Sequence, residues 1–170
     1  MDLAFDAMMF ARQVHSRQVR KYSGNPYVDH LAEVAGIVAT VGGTPDQIAV
    51  AWLHDCVEDQ GVTEATLVAR FGPTVARGVM LMSDLESGNR ETRKRLSRER
   101  LAAAPGWVQT VKVADLISNT STIVVHDPDF ARVFVREKQL LLDVLADADP
   151  RLLALARSQD GPARPRNAGA

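Results

Sequence analysis

The stretch from Asp46 to Asp59 reads DQIAVAWLHDCVED, an apolar run that ends in histidine and acidic residues. The apolar part predicts a buried helix, because residues three and four apart lie on the same face of a helix. If that helix continues to Asp59, His54 shares a face with Glu58, and Asp55 shares one with both Glu58 and Asp59. One imidazole and three carboxylates then meet beside an apolar stem. Since crowded carboxylates repel one another at low dielectric, this pattern indicates a bound divalent metal ion.

The rest of the chain also favours helices. Apolar residues recur at helical spacing after the turn formers of residues 22–27, and Thr44 and Pro45 have the residue types of an N-cap and a first helical position. Further helical segments are predicted at residues 3–20, 63–72, 73–82, 107–123, 130–145 and 150–156. With no competing strand pattern, the sequence predicts one all-α domain of seven to nine helices over residues 1–156. Residues 157–170, rich in Gly, Pro, Arg and Ala, are predicted to form a disordered tail.

Composition excludes several classes of protein. The chain has 170 residues, 46% of them hydrophobic, and a formal net charge of -1. This size suits a single compact domain, and the near-neutral charge disfavours nucleic acid as the main partner. No stretch reaches the roughly 18 apolar residues of a membrane span, and the N-terminal residues lack the features of a signal peptide. We therefore expect a cytoplasmic protein with no membrane partner, and the sequence leaves its oligomeric state open.

Two more residues extend the candidate metal site. His30 follows the predicted loop, and Asp115 interrupts the apolar run from Val111 to Ile117, where an unpaired carboxylate is costly to bury. With His54 and Asp55, these residues offer two imidazoles and two carboxylates from three helices. Such a mixed nitrogen and oxygen set suits manganese, iron or zinc better than calcium. Spacing alone leaves open an arrangement of hydrogen-bonded structural residues without metal.

Four sequence blocks occur in a fixed order: His15-x-x-Gln18-x-Arg20-Lys21, Ser23-Gly24-x-Pro26-Tyr27-x-x-His30, Leu53-His54-Asp55-x-Val57-Glu58-Asp59 and Val111-Lys112-x-Ala114-Asp115-x-x-x-Asn119. Together they resemble the hydrolase domain of the RelA/SpoT family, within the HD superfamily of metal-dependent phosphohydrolases. The resemblance covers roughly residues 3–146. It implies a helical HD-domain bundle like that of the free-standing small alarmone hydrolases, which remove the 3′-pyrophosphate of guanosine tetra- and pentaphosphate, (p)ppGpp.

The resemblance also implies roles for individual residues. The family's metal ligands, which typically hold manganese, match His30, His54, Asp55 and Asp115. Its catalytic acidic pair matches Glu58 and Asp59, and its active-site amide matches Asn119. In that chemistry the metal activates a water for attack on phosphorus, and an acid positions or deprotonates this water. The nucleotide-binding segment matches Arg20, Lys21 and Ser23, with Thr122 as a weaker match.

Three positions depart from the family's pattern. Tyr22 is an insertion, Leu31 replaces the usual proline after the first metal histidine, and Leu116 replaces a basic residue beside the metal aspartate. None of these changes removes a ligand, but Leu116 removes a charge next to the site. The implied substrate is therefore (p)ppGpp, a small nucleotide, with two alternatives. One is a phosphohydrolase of another nucleotide such as NADPH, and the other is an alarmone-binding module without turnover.

The segment from Ser83 to Arg100 is the most polar part of the chain. Its mixed charges are typical of a solvated helix face. The alternative is that its arginines and lysine steer an anionic ligand toward the site. The mixed signs favour the solvated face.

Overall fold

A computed structural model describes residues 2–159 of the chain. Within this range the chain forms nine helices and no named β-strand, which confirms the predicted all-α class. The helices are α1 (Leu3–Val14), α2 (Tyr27–Thr40), α3 (Pro45–Leu53), α4 (Cys56–Gln60), α5 (Glu64–Met82), α6 (Arg90–Ala102), α7 (Gly106–His126), α8 (Pro128–Leu142) and α9 (Pro150–Ser158). Of the tail predicted for residues 157–170, the first two residues close α9, and residues 160–170 lie outside the described range.

Local sequence signals explain several helix ends. Thr44 and Gln47 form a reciprocal capping box at the start of α3, followed by Pro45 at the first helical position, as the sequence predicted. Gly72 adopts φ 83° and ψ 168°, which only glycine tolerates readily, and it kinks α5. The two segments predicted on either side of residue 72 are therefore separate helical stretches.

Helix α3 lies at the centre of the bundle. It packs against α1, α2, α5 and α7, and its residues Ala49, Val50, Ala51 and Leu53 are fully buried. Burying a leucine or valine side chain stabilises the fold by roughly 1.5–3 kcal/mol. The apolar part of the stretch that predicted this helix therefore anchors the core. Helix α7 lies beside it and also contacts α2, α8 and α9.

The C-terminal half of that stretch departs from the prediction. A single helix through Asp59 was expected, but α3 ends at Leu53 and α4 begins at Cys56. Asp55 has φ −100° and ψ −2° in the turn between them. Its carboxylate accepts a hydrogen bond from the Tyr27 hydroxyl on α2 instead of capping α4. The prediction failed here because a long-range contact, invisible in the local pattern, orients Asp55.

No helix within residues 2–159 is long and apolar enough to span a bilayer.

Candidate metal centre

The four predicted ligands converge where α2, the α3–α4 turn and α7 meet. Nε2 of His30 lies 3.3 Å from Oδ1 of Asp115 and 3.7 Å from Oδ2 of Asp55. Nε2 of His54 lies 3.0 Å from the same oxygen of Asp55 and 3.6 Å from Oδ1 of Asp115. Ligand atoms of His30, His54 and Asp115 all lie within 4.8 Å of one another. The structure therefore brings together two imidazole nitrogens and two carboxylates from distant parts of the chain.

Hydrogen bonds fix how the two imidazoles face this cluster. The carbonyl of Ala51 can only accept, so the Nδ1–H of His54 donates to it over 2.8 Å. The hydroxyl of Ser118 donates to Glu33 over 2.7 Å, and it therefore accepts from Nδ1–H of His30 over 2.8 Å. In these tautomers both Nε2 atoms present lone pairs to the carboxylates. Both are buried without a hydrogen-bond partner.

This donor set fits a divalent cation. Two lone-pair nitrogens facing carboxylate oxygens repel one another unless a positive charge lies between them. Neutral imidazole and carboxylate are ligands that first-row metals accept, and an outer hydrogen bond from the second ring nitrogen is usual in such sites. The residues that would hold the ion are His30 on α2, His54 and Asp55 in the α3–α4 turn, and Asp115 on α7.

The electrostatics of the site also favour a bound cation. Burial disfavours the charged form of His54, but the carboxylates of Asp55 and Asp115 outweigh it and raise the pKa of this imidazole well above its usual range. Burial likewise opposes ionisation of Asp115, but the charge of Lys112 and the contacts with His30 and His54 together outweigh it and hold the pKa of this carboxyl well below its ordinary value. The pocket therefore carries negative charge that a proton or a metal ion must balance.

Neighbouring side chains hold the two carboxylates in place. The hydroxyl of Tyr27 donates to Oδ2 of Asp55 over 2.6 Å. Burial, followed by the charge of Asp55, raises the pKa of Tyr27 far above its usual value, so this hydroxyl remains a donor. Asn119 Nδ2 donates to Oδ1 of Asp115 over 2.7 Å. The predicted active-site amide thus lies directly beside a predicted ligand.

The predicted acidic pair lies on α4 and is hydrogen-bonded to other parts of the fold. Oε2 of Glu58 accepts the backbone N–H of Asp84 over 3.0 Å, and Oδ2 of Asp59 accepts Nε2 of Gln18 over 2.7 Å. Burial, outweighing that backbone hydrogen bond, raises the pKa of Glu58. Because α3 ends before residue 54, the helical face predicted to align His54 with Glu58 does not form.

The predicted nucleotide-binding residues are partly brought together. Arg20 Nη2 donates to the hydroxyl of Thr122 over 2.8 Å, so these two distant residues meet. Both line a cavity of about 240 Å³ together with Ser23 and the metal-site residue His30. Lys21 is exposed, and its ammonium lies 5.0 Å from the ring centroid of Tyr22. Lys21 is not among the residues that line this cavity.

A second cavity of about 300 Å³ is lined by cationic groups for which the sequence offered anion steering only as an alternative. Arg90, Lys94 and Arg98 line it from α6, opposite Lys112 and Asn119 on α7. The three α6 residues recur every four positions and share one helix face, which is the signal that could have separated them from the other charges of this segment. The cavity wall also includes Asp115, so cationic groups adjoin the candidate metal centre.

Comparison with known proteins identifies the family. Residues 7–146 match the HD domain family HD_4. The chain belongs to the HD domain family. Within it, the chain is 30% identical over 126 residues to guanosine-3′,5′-bis(diphosphate) 3′-pyrophosphohydrolase MESH1 of Drosophila melanogaster, and the match covers 72% of this chain and 70% of MESH1. This match confirms the resemblance to the RelA/SpoT-type hydrolases.

Longer bacterial proteins are also similar to this chain. A Haemophilus influenzae protein with the same enzyme name is 33% identical over 135 residues, which cover 76% of this chain. The chain spans about a fifth of the length of such bacterial relatives. A solved structure described as a metazoan ortholog of SpoT that hydrolyzes ppGpp superposes with a TM-score of 0.86 at 24% identity, covering 94% of both chains. That structural likeness supports the HD fold.

Proposed function

We propose that this HD domain binds one divalent cation, manganese by preference, and hydrolyses the 3′-pyrophosphate of (p)ppGpp. The products are GDP or GTP and pyrophosphate. The observation that carries the proposal is the pair of buried Nε2 atoms, His30 and His54, which face the carboxylates of Asp55 and Asp115 without a hydrogen-bond partner. MESH1 and the bacterial relatives, whose names specify this activity, support the choice of substrate.

The two cavities suit a nucleotide with phosphates at two positions. His30 borders the cavity that holds Arg20 and Thr122, whereas Asp115 borders the basic cavity between α6 and α7. A planar guanidinium can stack on a purine and donate several hydrogen bonds, which suits Arg20 to a base. We therefore assign the base and ribose to the first cavity and phosphate groups to the second, where Lys112 and the α6 cations offset their charge.

Residues of this chain supply the remaining chemistry. When bound, a divalent cation supplies positive charge that activates water and offsets the charge of a phosphate group. Glu58 accepts a proton from the attacking water, a task that a carboxyl with a raised pKa performs better near neutral pH. Asp59 orients the attacking water from the same helix. Asn119, fixed by Asp115, is the donor for negative charge that develops on phosphorus oxygens.

Lys21 and Ser23 complete the proposed nucleotide contacts from the loop before α2. Ser23 already lines the cavity of Arg20, and Lys21 reaches substrate only by turning away from Tyr22. The cytoplasm is the proposed location, since the substrate is a cytoplasmic nucleotide and Cys56, buried and free, fits a reducing compartment.

Phosphorus NMR of the reaction products tests the proposal. Purified protein is incubated with ppGpp and Mn²⁺, and pyrophosphate release is expected, with loss of activity in Asp55→Ala. Asp143→Ala is the matched control, because Asp143 directly follows α8 and 72% of its side chain is exposed. Release of orthophosphate from NADPH or another nucleotide, with ppGpp left intact, would show that the proposed substrate is wrong and that the other nucleotide is the substrate. Tight binding of ppGpp without hydrolysis, whichever divalent metal is added, would show that the protein is a binding module and not an enzyme.

A further inference from the structure

The connection between α1 and α2 contains a buried histidine that the proposed chemistry does not use. His15 is 2% exposed, and its Nε2 has no hydrogen-bond partner. Its Nδ1 lies 2.6 Å from Oε1 of Gln18. Burying a polar ring costs free energy, so its position calls for a function in the fold or the site.

Gln18 uses both ends of its amide. Its oxygen faces Nδ1 of His15 and accepts a hydrogen bond from Nε2 of Gln60, while its nitrogen donates to Oδ2 of Asp59 over 2.7 Å. If the amide turned over, its oxygen would face the carboxylate of Asp59 and its nitrogen would face the donor of Gln60. Both contacts would be repulsive. An Nδ1–H on His15 therefore favours the one amide orientation that holds Asp59.

The ring of His15 also contacts Tyr27, which holds the carboxylate of Asp55. It stacks on Tyr27 with centroids 5.3 Å apart and an interplanar angle of 17°. Tyr27 in turn donates its hydroxyl to the predicted ligand Asp55. His15 thus contacts the supports of two different carboxylates, one on α4 and one in the α3–α4 turn.

We infer that His15 and Gln18 are positioning residues for Asp59, and that stacking of His15 on Tyr27 couples the position of this acid to the support of Asp55. The inference rests on the proposed function, in which Asp59 orients the attacking water. His15 and Gln18 act only through these neighbours. Loss of the Gln18 amide, which contacts Asp59 and no predicted ligand, should lower kcat while leaving the KM for the nucleotide and the Kd for Mn²⁺ unchanged.

The hydrogen-bond geometry is tested first, without any activity measurement. Long-range ¹H–¹⁵N spectra of the protein should show His15 as the Nδ1–H tautomer, with Nε2 unprotonated. An Nε2–H tautomer would reverse the amide of Gln18 and overturn the inference. This result holds whatever the enzyme hydrolyses, so it separates a failure of the inference from a failure of the proposed function.

A double-mutant cycle then tests the route through Asp59. Gln18→Met removes both ends of the amide at similar length and should lower kcat about tenfold, because small displacements of catalytic groups are costly. In an Asp59→Asn background the same change should cause no further loss, since residues in one network are not additive. Gln13→Met, on the exposed face of α1, is the matched control.

Three outcomes would overturn the inference. Equal fold-losses from Gln18→Met in both backgrounds would mean that Gln18 acts independently of Asp59. Unchanged kcat in Gln18→Met would mean that the amide positions nothing. Full kcat in Asp59→Asn would show that Asp59 has no role in catalysis. Positioning this acid would then have no effect on the reaction. His15→Phe keeps a ring to stack on Tyr27 and should repeat the kcat loss of Gln18→Met.

Discussion

Lys112 Nζ donates to Oδ2 of Asp115 over 2.9 Å, within one turn of α7. Only 15% of the lysine side chain and 7% of the carboxylate are exposed. Burial alone would lower the pKa of Lys112, but the charges of Asp115 and Asp84 raise it, so the ammonium stays protonated. One of the two carboxylates in the candidate metal centre is therefore already partly neutralised by the protein itself.

Replacing Lys112 by methionine should destabilise the metal-free protein. Breaking a buried ion pair leaves an uncompensated charge and costs about 3–5 kcal/mol. Because the variant site is more negative, Mn²⁺ should raise its Tm by more than it raises that of the wild type. Thermal unfolding with and without Mn²⁺ measures both effects, and Arg17→Met at an exposed position is the control. Equal Mn²⁺-induced shifts in wild type and variant would contradict the expectation.

Tyr27→Phe should weaken metal binding with little change in fold. The variant loses the 2.6 Å hydrogen bond to Asp55 but keeps the ring that stacks on His15. Loss of an outer partner of a metal ligand typically costs about 10–100-fold in affinity. Titration calorimetry with Mn²⁺ measures the change. Tyr22→Phe removes a hydroxyl from the neighbouring loop and should leave the Kd unchanged, and equal values for the two variants would refute the role of Tyr27.

The charged carboxylate of Asp84 should stabilise the folded protein, and this stabilisation should be lost in acid. Burial opposes its ionisation, but the charges of Lys112 and Lys94 lower its pKa from 3.8 to about 2. Because the folded pKa is the lower one, the stabilisation is complete above the unfolded value and is lost as the pH falls from about 4 to about 2. The shift corresponds to about 2 kcal/mol.

Urea unfolding of wild type and Asp84→Asn checks this window. The difference in unfolding free energy should be largest near neutral pH and should shrink as the pH falls through about 4. Asp143→Asn, at an exposed side chain just after α8, should show no such trend. A difference that stays constant down to about pH 2.5 would show that the charge of Asp84 does not stabilise the fold.

Two glycine substitutions should have opposite effects on stability. A Cβ at Gly78 would lie 2.6 Å from the Trp107 ring and 2.7 Å from a methyl of Val50, so Gly78→Ala should cost about 1–3 kcal/mol by overpacking. Gly36 lies within α2 with nothing within 4 Å of an added Cβ. Gly36→Ala should therefore stabilise the protein by up to about 1 kcal/mol. Chemical denaturation measures both, and similar effects of the two changes would contradict this packing.

Much of the fold follows from local sequence. Apolar spacing identified the buried helix that ends at Leu53, and Thr44 with Pro45 marked its start, because these signals depend only on neighbours along the chain. The ordered motifs also identified His30, His54, Asp55 and Asp115, which the structure brings together. Helix ends were less accurate: α8, for example, stops at Leu142 where the pattern extended to residue 145.

The sequence by itself therefore determined the helical class, the central helix and the identity of the candidate ligands. Only the tertiary structure decided that the helix breaks at Asp55, that Tyr27 holds this carboxylate, and that Arg90, Lys94 and Arg98 of α6 line a cavity beside Asp115. The physical reason is the range of the interactions. Periodicity and caps act between residues a few positions apart, whereas hydrogen bonds and charges across helices depend on how those helices pack.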